Sequence, residues 1–333
     1  MFPYTALFSC TMVLGSLIAI SSTHWITLWL GLELNLLSFI PLITHTTTTH
    51  SSEAAFKYFM AQALGSGLIL LGPFIIIFNM FMLLMPPMKL FIFLGLFIKL
   101  GFPPCHFWFP SVMSSISWPM CILLSTWQKL IPLFLLFFIL HLSLSPFSLT
   151  LILLASMIGG LGGLNQTQLR PLLAYSSMNH MSWLLAASMV SSSASMMYFI
   201  FYAVTSTMLM LMFWLQSHYS LISMNLNLLN NLLVPYMILF LILTLSGLPP
   251  TMGFFPKWMV MEMLTFYSFS FTFILLLGSV LSLYYYLNLT FMSLMTNKIF
   301  CIPSMKTSYT APNSFAFILI LSLGLAPSTW LIL

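Results

Sequence analysis

The sequence predicts an all-α protein that crosses a membrane about eleven times. Of its 333 residues, 61% are hydrophobic and only 3% are charged, and the mean hydropathy is +1.09. A water-soluble domain carries about 25% charged residues, so this composition cannot cover a surface that faces water. Spans of about 20 residues fill nearly the whole length and leave no room for an extramembrane domain.

The apolar pattern is interrupted twice by a pair of prolines near a lysine. Residues 97–110 contain Lys99 and a Pro-Pro pair, and residues 245–258 contain a second pair and Lys257. A proline has no N–H to give the carbonyl four residues earlier, and a carbonyl freed inside a membrane needs a polar partner. A broken helix beside a buried charge is typical of the site of an ion carrier.

These two stretches lie in different halves of the chain and indicate an internal repeat. The expected architecture is a single transmembrane domain with a first repeat over about 4–140, a second over about 147–291 and a C-terminal helix over about 314–333. The lysine precedes the prolines in the first half and follows them in the second, an order that suits an inverted repeat with two proline-broken helices.

Helix boundaries follow from the apolar runs and the breaks between them. The predicted helices cover residues 4–22, 25–43, 54–81, 88–109, 119–140, 147–164, 171–190, 194–216, 232–262 (broken), 265–291 and 314–333. Within the third, Glu53 precedes Lys57 by four residues, the favourable order for an ion pair on a helix.

An odd number of spans places the two termini on opposite faces of the membrane. Loops on the N-terminal side then carry Lys57, Arg170, Lys298 and Lys306, and the other side carries Lys89. The positive-inside rule therefore predicts that the N-terminus faces the side of synthesis.

Four charged residues fall near the middle of predicted spans: Glu33, Lys99, Lys129 and Lys257. A lysine at membrane depth costs roughly 2.5–3.5 kcal/mol on insertion scales, so its presence indicates a function. Burial favours the neutral form of a lysine and a nearby carboxylate favours the charged form. A lysine balanced in this way can take up and release a proton near neutral pH. The structural alternative is a buried ion pair or a snorkelling lysine that holds helices together.

Two further residues are candidates for relay or tuning. His180 is able to bridge the two halves as a neutral relay, or simply to form hydrogen bonds between helices. Glu262 lies five residues after Lys257, about 140° around a helix, so direct pairing is not expected and the acid would act by tuning the lysine.

Other kinds of site find little support in the sequence. The spacing of Cys10, Cys105, Cys121 and Cys301 predicts small buried hydrophobic side chains rather than disulfides or metal ligands. The glycines of residues 159–163 favour close helix packing over a phosphate loop. Eight basic and three acidic residues are too sparse and scattered for nucleic-acid binding. We expect no cofactor or metal on this chain.

Several motifs together resemble the mitochondrially encoded, antiporter-like membrane subunits of respiratory complex I. They are Trp-Leu-Gly-Leu-Glu at 29–33, Glu-Ala-Ala-Phe-Lys-Tyr-Phe at 53–59, His-Phe-Trp at 106–108, Thr-Trp-Gln-Lys at 126–129, Gly-Gly-Leu-Asn-Gln-Thr-Gln-Leu-Arg at 162–170, Ala-Tyr-Ser-Ser at 174–177 and residues 245–258. The matches span roughly residues 25–262.

This resemblance implies an antiporter-like fold and a role in moving protons while quinone is reduced elsewhere. It implies that Glu33, Lys99, Lys129 and Lys257 form a charged axis at mid-membrane. It also implies a location in the mitochondrial inner membrane, with the N-terminus in the matrix and the C-terminus in the intermembrane space. The implied partners are other membrane-arm subunits, neighbouring antiporter-like subunits among them, and lipids such as cardiolipin; NAD, FMN, iron–sulfur clusters and ubiquinone would belong to other subunits.

Two positions depart from the family pattern. Ser111 stands where an acid is common, and Pro171 stands where a second basic residue is common. Both lie at the membrane edge and weaken the expectation of surface salt bridges there, but not that of the central axis.

Two other functions stay open beside a proton-translocating subunit: a cation/proton antiporter that works without redox chemistry, which the same broken helices would serve, and a scaffold whose interior charges only hold helices together.

Overall fold

The computed structural model describes residues 3–45, 48–77, 85–141, 146–215, 233–249, 251–266 and 268–296. The elements that form there are helices: α1 (Pro3–Ser21), α2 (Trp25–Thr44), α3 (Thr49–Ile77), α4 (Met85–Leu100), α5 (Trp108–Ser115), α6 (Trp118–Ser125), α7 (Trp127–His141), α8 (Pro146–Leu164), α9 (Leu169–Ser188), α10 (Ser192–Leu215), α11 (Leu233–Ser246), α12 (Phe254–Thr265) and α13 (Phe269–Thr296). The predicted helix at 314–333, with Lys298 and Lys306, lies outside the described residues.

Six segments of the described part are long and apolar enough to cross a membrane. They are Tyr4–Ser21, Trp25–Thr44, Thr49–Phe74, Trp118–Phe137, Ser192–Leu215 and Phe269–Leu294. The all-helical membrane class predicted from composition is confirmed, and the number of eleven spans stays a prediction.

The chain packs as two compact units, Met1–Leu151 and Ile152–Leu333. In the first unit, α1 packs on α2 and α3 packs on α4 at points where glycines let the backbones meet. A Cβ at Gly31 would stand 2.8 Å from the carbonyl of Gly15, and a Cβ at Gly95 would stand 2.7 Å from that of Gly65. Small residues at such crossings are how helices associate in membranes, where apolar surface alone drives no contact.

The second unit is built around α9. All but two of the 20 residues of α9 are buried, and this helix touches α10, α12 and α13. It contains serines, an asparagine and a histidine, because a helix enclosed by protein needs no apolar face toward lipid. The glycines of α8 pack closely here: a Cβ at Gly159 would stand 2.8 Å from the backbone of Asn179, which confirms the predicted packing role.

Several predicted boundaries are wrong, among them both ends of the helix predicted for 265–291, which runs from Phe269 to Thr296. Helix α3 begins at Thr49 rather than at 54, because the Thr48 hydroxyl accepts a hydrogen bond from the N–H of Ser51 at 3.3 Å and caps the first turn. Helix α4 ends at Leu100 rather than at 109, because the backbone turns at Gly101. The span predicted for 119–140 agrees with the apolar segment Trp118–Phe137, in which the helix is interrupted at Thr126.

The predicted pair of Glu53 and Lys57 is confirmed at 2.6 Å, and both side chains are exposed. The prediction for the cysteines is wrong in part. Cys121 is buried, whereas Cys10 and Cys105 are exposed. Cys10 lies on α1, a helix with many side chains that no other part of the described chain covers.

Candidate functional site

Helix α4 ends in a glycine cap. Gly101 has a φ of 75°, in the left-handed region, and its N–H donates to the carbonyl of Ile98 at 3.1 Å. The N–H of Phe102 donates to the carbonyl of Phe97 at 2.9 Å. This pair of hydrogen bonds defines the Schellman motif, which favours glycine at the left-handed position. The proline pair follows directly.

Helix α11 ends in the same motif. Gly247 has a φ of 81°, and its N–H donates to the carbonyl of Thr244 at 3.2 Å. The N–H of Leu248 lies 3.5 Å from the carbonyl of Leu243. Pro249 follows, so in both places a glycine ends the helix two residues before the first proline.

The Schellman motif satisfies two of the four carbonyls at a helix end and leaves the last two. In α4 these belong to Lys99 and Leu100, and in α11 to Leu245 and Ser246. These are the carbonyls that the sequence predicts to be freed by the prolines. A side chain from another helix binds the first of the two in each unit.

In the first unit this side chain is Gln62 of α3, whose Nε2 donates to the carbonyl of Lys99 at 3.0 Å. In the second unit it is His180 of α9, whose Nε2 lies 3.1 Å from the carbonyl of Leu245. A carbonyl only accepts, so Nε2 carries the proton. The other ring nitrogen, Nδ1, lies 3.0 Å from the hydroxyl of Tyr198.

These contacts suit His180 to either charge state. When the ring is neutral, the Tyr198 hydroxyl donates to Nδ1; when the ring is protonated, Nδ1–H donates to the same hydroxyl oxygen. Reversal of one hydrogen bond therefore accommodates a proton without loss of a contact, which is what a relay requires.

The last carbonyl of α11 binds Lys257. The ammonium Nζ donates to the carbonyl of Ser246 at 2.9 Å, and the lysine is 8% exposed. The negative end of the α11 dipole attracts this cation. A Cβ at Gly247 would stand 2.9 Å from Nζ, so this glycine ends the helix and also leaves room for the lysine.

A cavity of about 100 Å³ lies beside Lys257, with walls from α9, α12 and α13. Most of its lining is apolar, and Lys257, Ser246 and Ser279 are the polar residues among those that line it. Trp183 also lines it; this residue is fully buried, and its indole N–H has no hydrogen-bond partner among the described residues.

In the first unit, Lys99 lies in the last turn of α4 and is 5% exposed. Its ammonium interacts electrostatically with the partly buried carboxylate of Glu33 on α2. The lysine stem runs over Gly65 of α3, where a Cβ would stand 2.8 Å from its Cγ. Helix crossing and lysine position therefore depend on the same glycine.

Lys129 lies in the first turn of α7 and is 3% exposed. Its Nζ stands 4.5 Å from the ring centroid of Phe109, within the range of a cation–π contact. This contact joins the start of α7 to α5, the helix that follows the first proline pair.

The predicted site residues thus fall into two groups. Glu33, Lys99 and Lys129 are in the first unit, and His180 and Lys257 are in the second, where both bind the end of α11. Glu262 is in neither group: it is exposed, and its carbonyl accepts a hydrogen bond from the hydroxyl of Thr265.

Sequence reasoning missed the two glycine caps. Their signal is present, since Gly-x-Pro-Pro occurs at residues 101–104 and again at 247–250. It also missed Gln62 and Tyr198, for which the sequence carries no signal because their partners lie in other helices.

The fold and these buried lysines at helix ends define an antiporter-like membrane protein. A family model described as NADH:quinone oxidoreductase/Mrp antiporter, transmembrane, matches residues 22–284. The chain is 39% identical over 293 residues to NADH-ubiquinone oxidoreductase chain 2 of Lumbricus terrestris, covering 88% of this chain and 87% of the relative. It is 37% identical over 319 residues to that of Anopheles gambiae, covering 93% and 89%.

The fold is also similar to solved structures. A chain of respiratory complex I from Thermus thermophilus superimposes with a TM-score of 0.82 at 24% identity, covering 97% of this chain and 78% of that one. A chain of the Mrp complex from a Dietzia species gives 0.78 at 14% identity, covering 98% and 75%. The chain belongs to the antiporter-like transmembrane family and, within it, to the NADH-ubiquinone oxidoreductase chain 2 proteins.

Proposed function

We propose that this chain is a proton-translocating subunit of the membrane arm of mitochondrial respiratory complex I. Its relatives at 37–39% identity are chain 2 of NADH-ubiquinone oxidoreductase. The observation that carries the mechanism is the ammonium of Lys257, bound to the carbonyl of Ser246 at a helix end beside a cavity. The lysine gives a proton to water in this cavity and takes one from the opposite direction. The neutral amine still has an N–H for the Ser246 carbonyl, so the contact survives the transfer.

The proton carriers in this mechanism are the lysines of the mid-membrane axis: Lys99, Lys129 and Lys257. Glu33 sets the balance between the charged and neutral forms of Lys99, with which it interacts electrostatically. His180 relays a proton through the hydrogen bond to Tyr198. Glu262 is exposed and acts on the lysines only through the long-range electrostatic interaction of its carboxylate.

The topology we propose has about eleven spans. Helices α4 and α5 form one discontinuous span, and α11 and α12 form the other, one in each half of an inverted repeat. The protein lies in the mitochondrial inner membrane with its N-terminus in the matrix and its C-terminus in the intermembrane space. Other membrane-arm subunits and lipids such as cardiolipin surround it, and the redox cofactors and ubiquinone are bound elsewhere in the complex.

A redox-independent cation/proton antiporter is the second candidate, favoured by the likeness to the Mrp complex chain. That likeness is at 14% identity, whereas the chain 2 relatives are 37–39% identical. A scaffold role is the third. It predicts that loss of Lys99 or Lys129 harms assembly and leaves the protons moved per electron pair intact.

The deciding experiment is gentle solubilisation of the native membrane, followed by separation of intact complexes by size. We expect this chain to migrate with rotenone-sensitive NADH:quinone reductase activity. Migration in a small particle without that activity would contradict the proposal, and sodium/proton exchange by that particle would establish the antiporter.

Replacement of the central lysine then tests the mechanism. Lys257→Ala should reduce the protons moved per electron pair or stop turnover, because it removes the cation that donates to the carbonyl of Ser246. The control is Lys57→Ala, which removes an exposed ion pair worth about 0–1 kcal/mol. Equal pumping by the Lys257 variant and the control would exclude the assignment.

A further inference from the structure

Three polar side chains from three helices meet in the first unit. Asn35 of α2 and Gln128 of α7 form a reciprocal amide pair, with Asn35 Nδ2 donating to Gln128 Oε1 at 2.9 Å and Gln128 Nε2 donating to Asn35 Oδ1 at 3.0 Å. The hydroxyl of Tyr58, on α3, donates to the same Oε1 at 3.2 Å. We call these three residues the amide cluster.

Two members of the amide cluster are buried and the third is partly buried. Asn35 is 4% exposed and Tyr58 is 1% exposed, and Gln128 is half-buried. A buried polar group without a partner is costly, and here Gln128 Oε1 accepts two hydrogen bonds while each amide donates to the other. Since amides do not ionise, the cluster brings no charge into the membrane. Its hydrogen bonds join three helices.

The amide cluster lies next to Lys129 and Glu33 along the chain. Gln128 directly precedes Lys129 in the first turn of α7, and Asn35 follows Glu33 by two residues on α2. The amide pair therefore joins the helix start that carries the lysine to the helix that carries the acid. Tyr58 also interacts electrostatically with Glu33.

We propose that Asn35, Tyr58 and Gln128 are positioning residues that hold Lys129 in the geometry required for proton transfer and couple it to Glu33. The inference deepens the proposed function and depends on it. The cluster neither carries nor accepts the translocated proton. It keeps the start of α7 in place while the charges of Lys129 and Glu33 change.

The test measures the rate of proton uptake per assembled complex, reconstituted in sealed vesicles with NADH and a quinone. Gln128→Met keeps the length of the side chain and removes the amide. Tyr58→Phe removes one hydroxyl and keeps the ring against Phe39, at 5.1 Å between centroids. Lys129→Ala gives the loss of proton uptake expected when the lysine itself is removed. Tyr284→Phe, at an exposed tyrosine of α13, is the matched control.

A double variant separates positioning from simple loss of packing. Asn35→Gln combined with Gln128→Asn exchanges the two amides and keeps their combined length, so the reciprocal pair can form again. We expect Gln128→Met to lose at least half as much proton uptake as Lys129→Ala does, Tyr58→Phe to lose less, and the exchanged pair to recover most of the loss.

The outcomes are distinguishable. If Lys129→Ala reduces proton uptake while Gln128→Met and Tyr58→Phe match Tyr284→Phe, the positioning role is wrong and the proposed function stands. If Lys129→Ala itself leaves proton uptake unchanged, Lys129 is not a proton carrier and the positioning role is wrong with it, whereas failure of the proposed function would show as migration apart from the NADH:quinone reductase activity. If Gln128→Met does not assemble, the exchanged pair decides: assembly with normal uptake supports the role of the amide pair, and assembly without uptake overturns it.

Discussion

Gly247 serves two purposes at one position. Its φ of 81° completes the cap of α11, and its missing side chain leaves space for Lys257. An L-residue in the left-handed conformation costs about 1–2 kcal/mol. The added Cβ would also stand 2.9 Å from the lysine Nζ, so strain and displacement of the cation occur together.

Gly247→Ala should therefore reduce both stability and proton transport. We expect a loss of about 1–2 kcal/mol from the backbone term alone, measured as a lower thermal midpoint of the purified complex, and slower proton uptake in vesicles. Pro249→Ala is the control, since the glycine cap ends α11 without the proline. A Pro249 variant as impaired as the Gly247 variant would show that the proline, not the glycine, determines this helix end.

The four interior charges and His180 could be selected from the sequence because a polar residue in an apolar run is conspicuous. Their partners could not. The carbonyls that bind His180 and Lys257 follow from the positions of the prolines, but nothing in the sequence indicates which side chain reaches which carbonyl. Tyr198 and Gln62 lie on helices whose arrangement depends on tertiary packing.

At the scale of the elements, close helix crossings depend on glycines whose surroundings differ. Gly65 of α3 faces α4: a Cβ there would stand 2.8 Å from Lys99 Cγ and 3.0 Å from the carbonyl of Gly95. Gly67, two residues later, has nothing within 4 Å. The sequence shows two similar glycines, and only the packing distinguishes them.

We expect Gly65→Ala to destabilise the protein by about 1–3 kcal/mol, the usual cost of overpacking, and to shift Lys99. Gly67→Ala should be neutral or stabilising by about 0.5–1 kcal/mol, because alanine favours the helix. Thermal unfolding of the two variants, purified in the same detergent, compares them directly. Similar midpoints for both would contradict the close crossing of α3 and α4.

The sequence predicted which segments form helices better than it predicted the residues at which those helices begin and end. The early start of α3 depends on the hydroxyl of Thr48, one of several threonines in a row, each of which is an acceptable cap by residue type. The end of α4 depends on Gly101, which stands within an apolar run and attracts less attention than the prolines after it.

At the scale of the whole molecule, composition alone was sufficient to predict the class, because a chain with 3% charged residues has no stable fold in water. Composition did not predict which faces meet lipid. In the structure, Leu7, Leu14 and Leu17 of α1 are between 55% and 57% exposed. Exposed leucines on a membrane helix indicate contact with lipid or with a neighbouring subunit.

An arginine introduced on the exposed face of α1 tests whether that face contacts lipid. Leu14 is 55% exposed and lies near the middle of α1, and an arginine near the centre of a span costs about 2.5–3.5 kcal/mol on insertion scales. Leu14→Arg should therefore reduce the membrane-inserted fraction of the newly made chain, whereas Leu14→Phe should not, because phenylalanine is as favourable in lipid as leucine. The readout is the protease-protected fraction after synthesis into membranes. Full insertion of the arginine variant would mean that α1 faces a polar surface of another subunit rather than lipid, since only a polar partner compensates a buried charge at that depth.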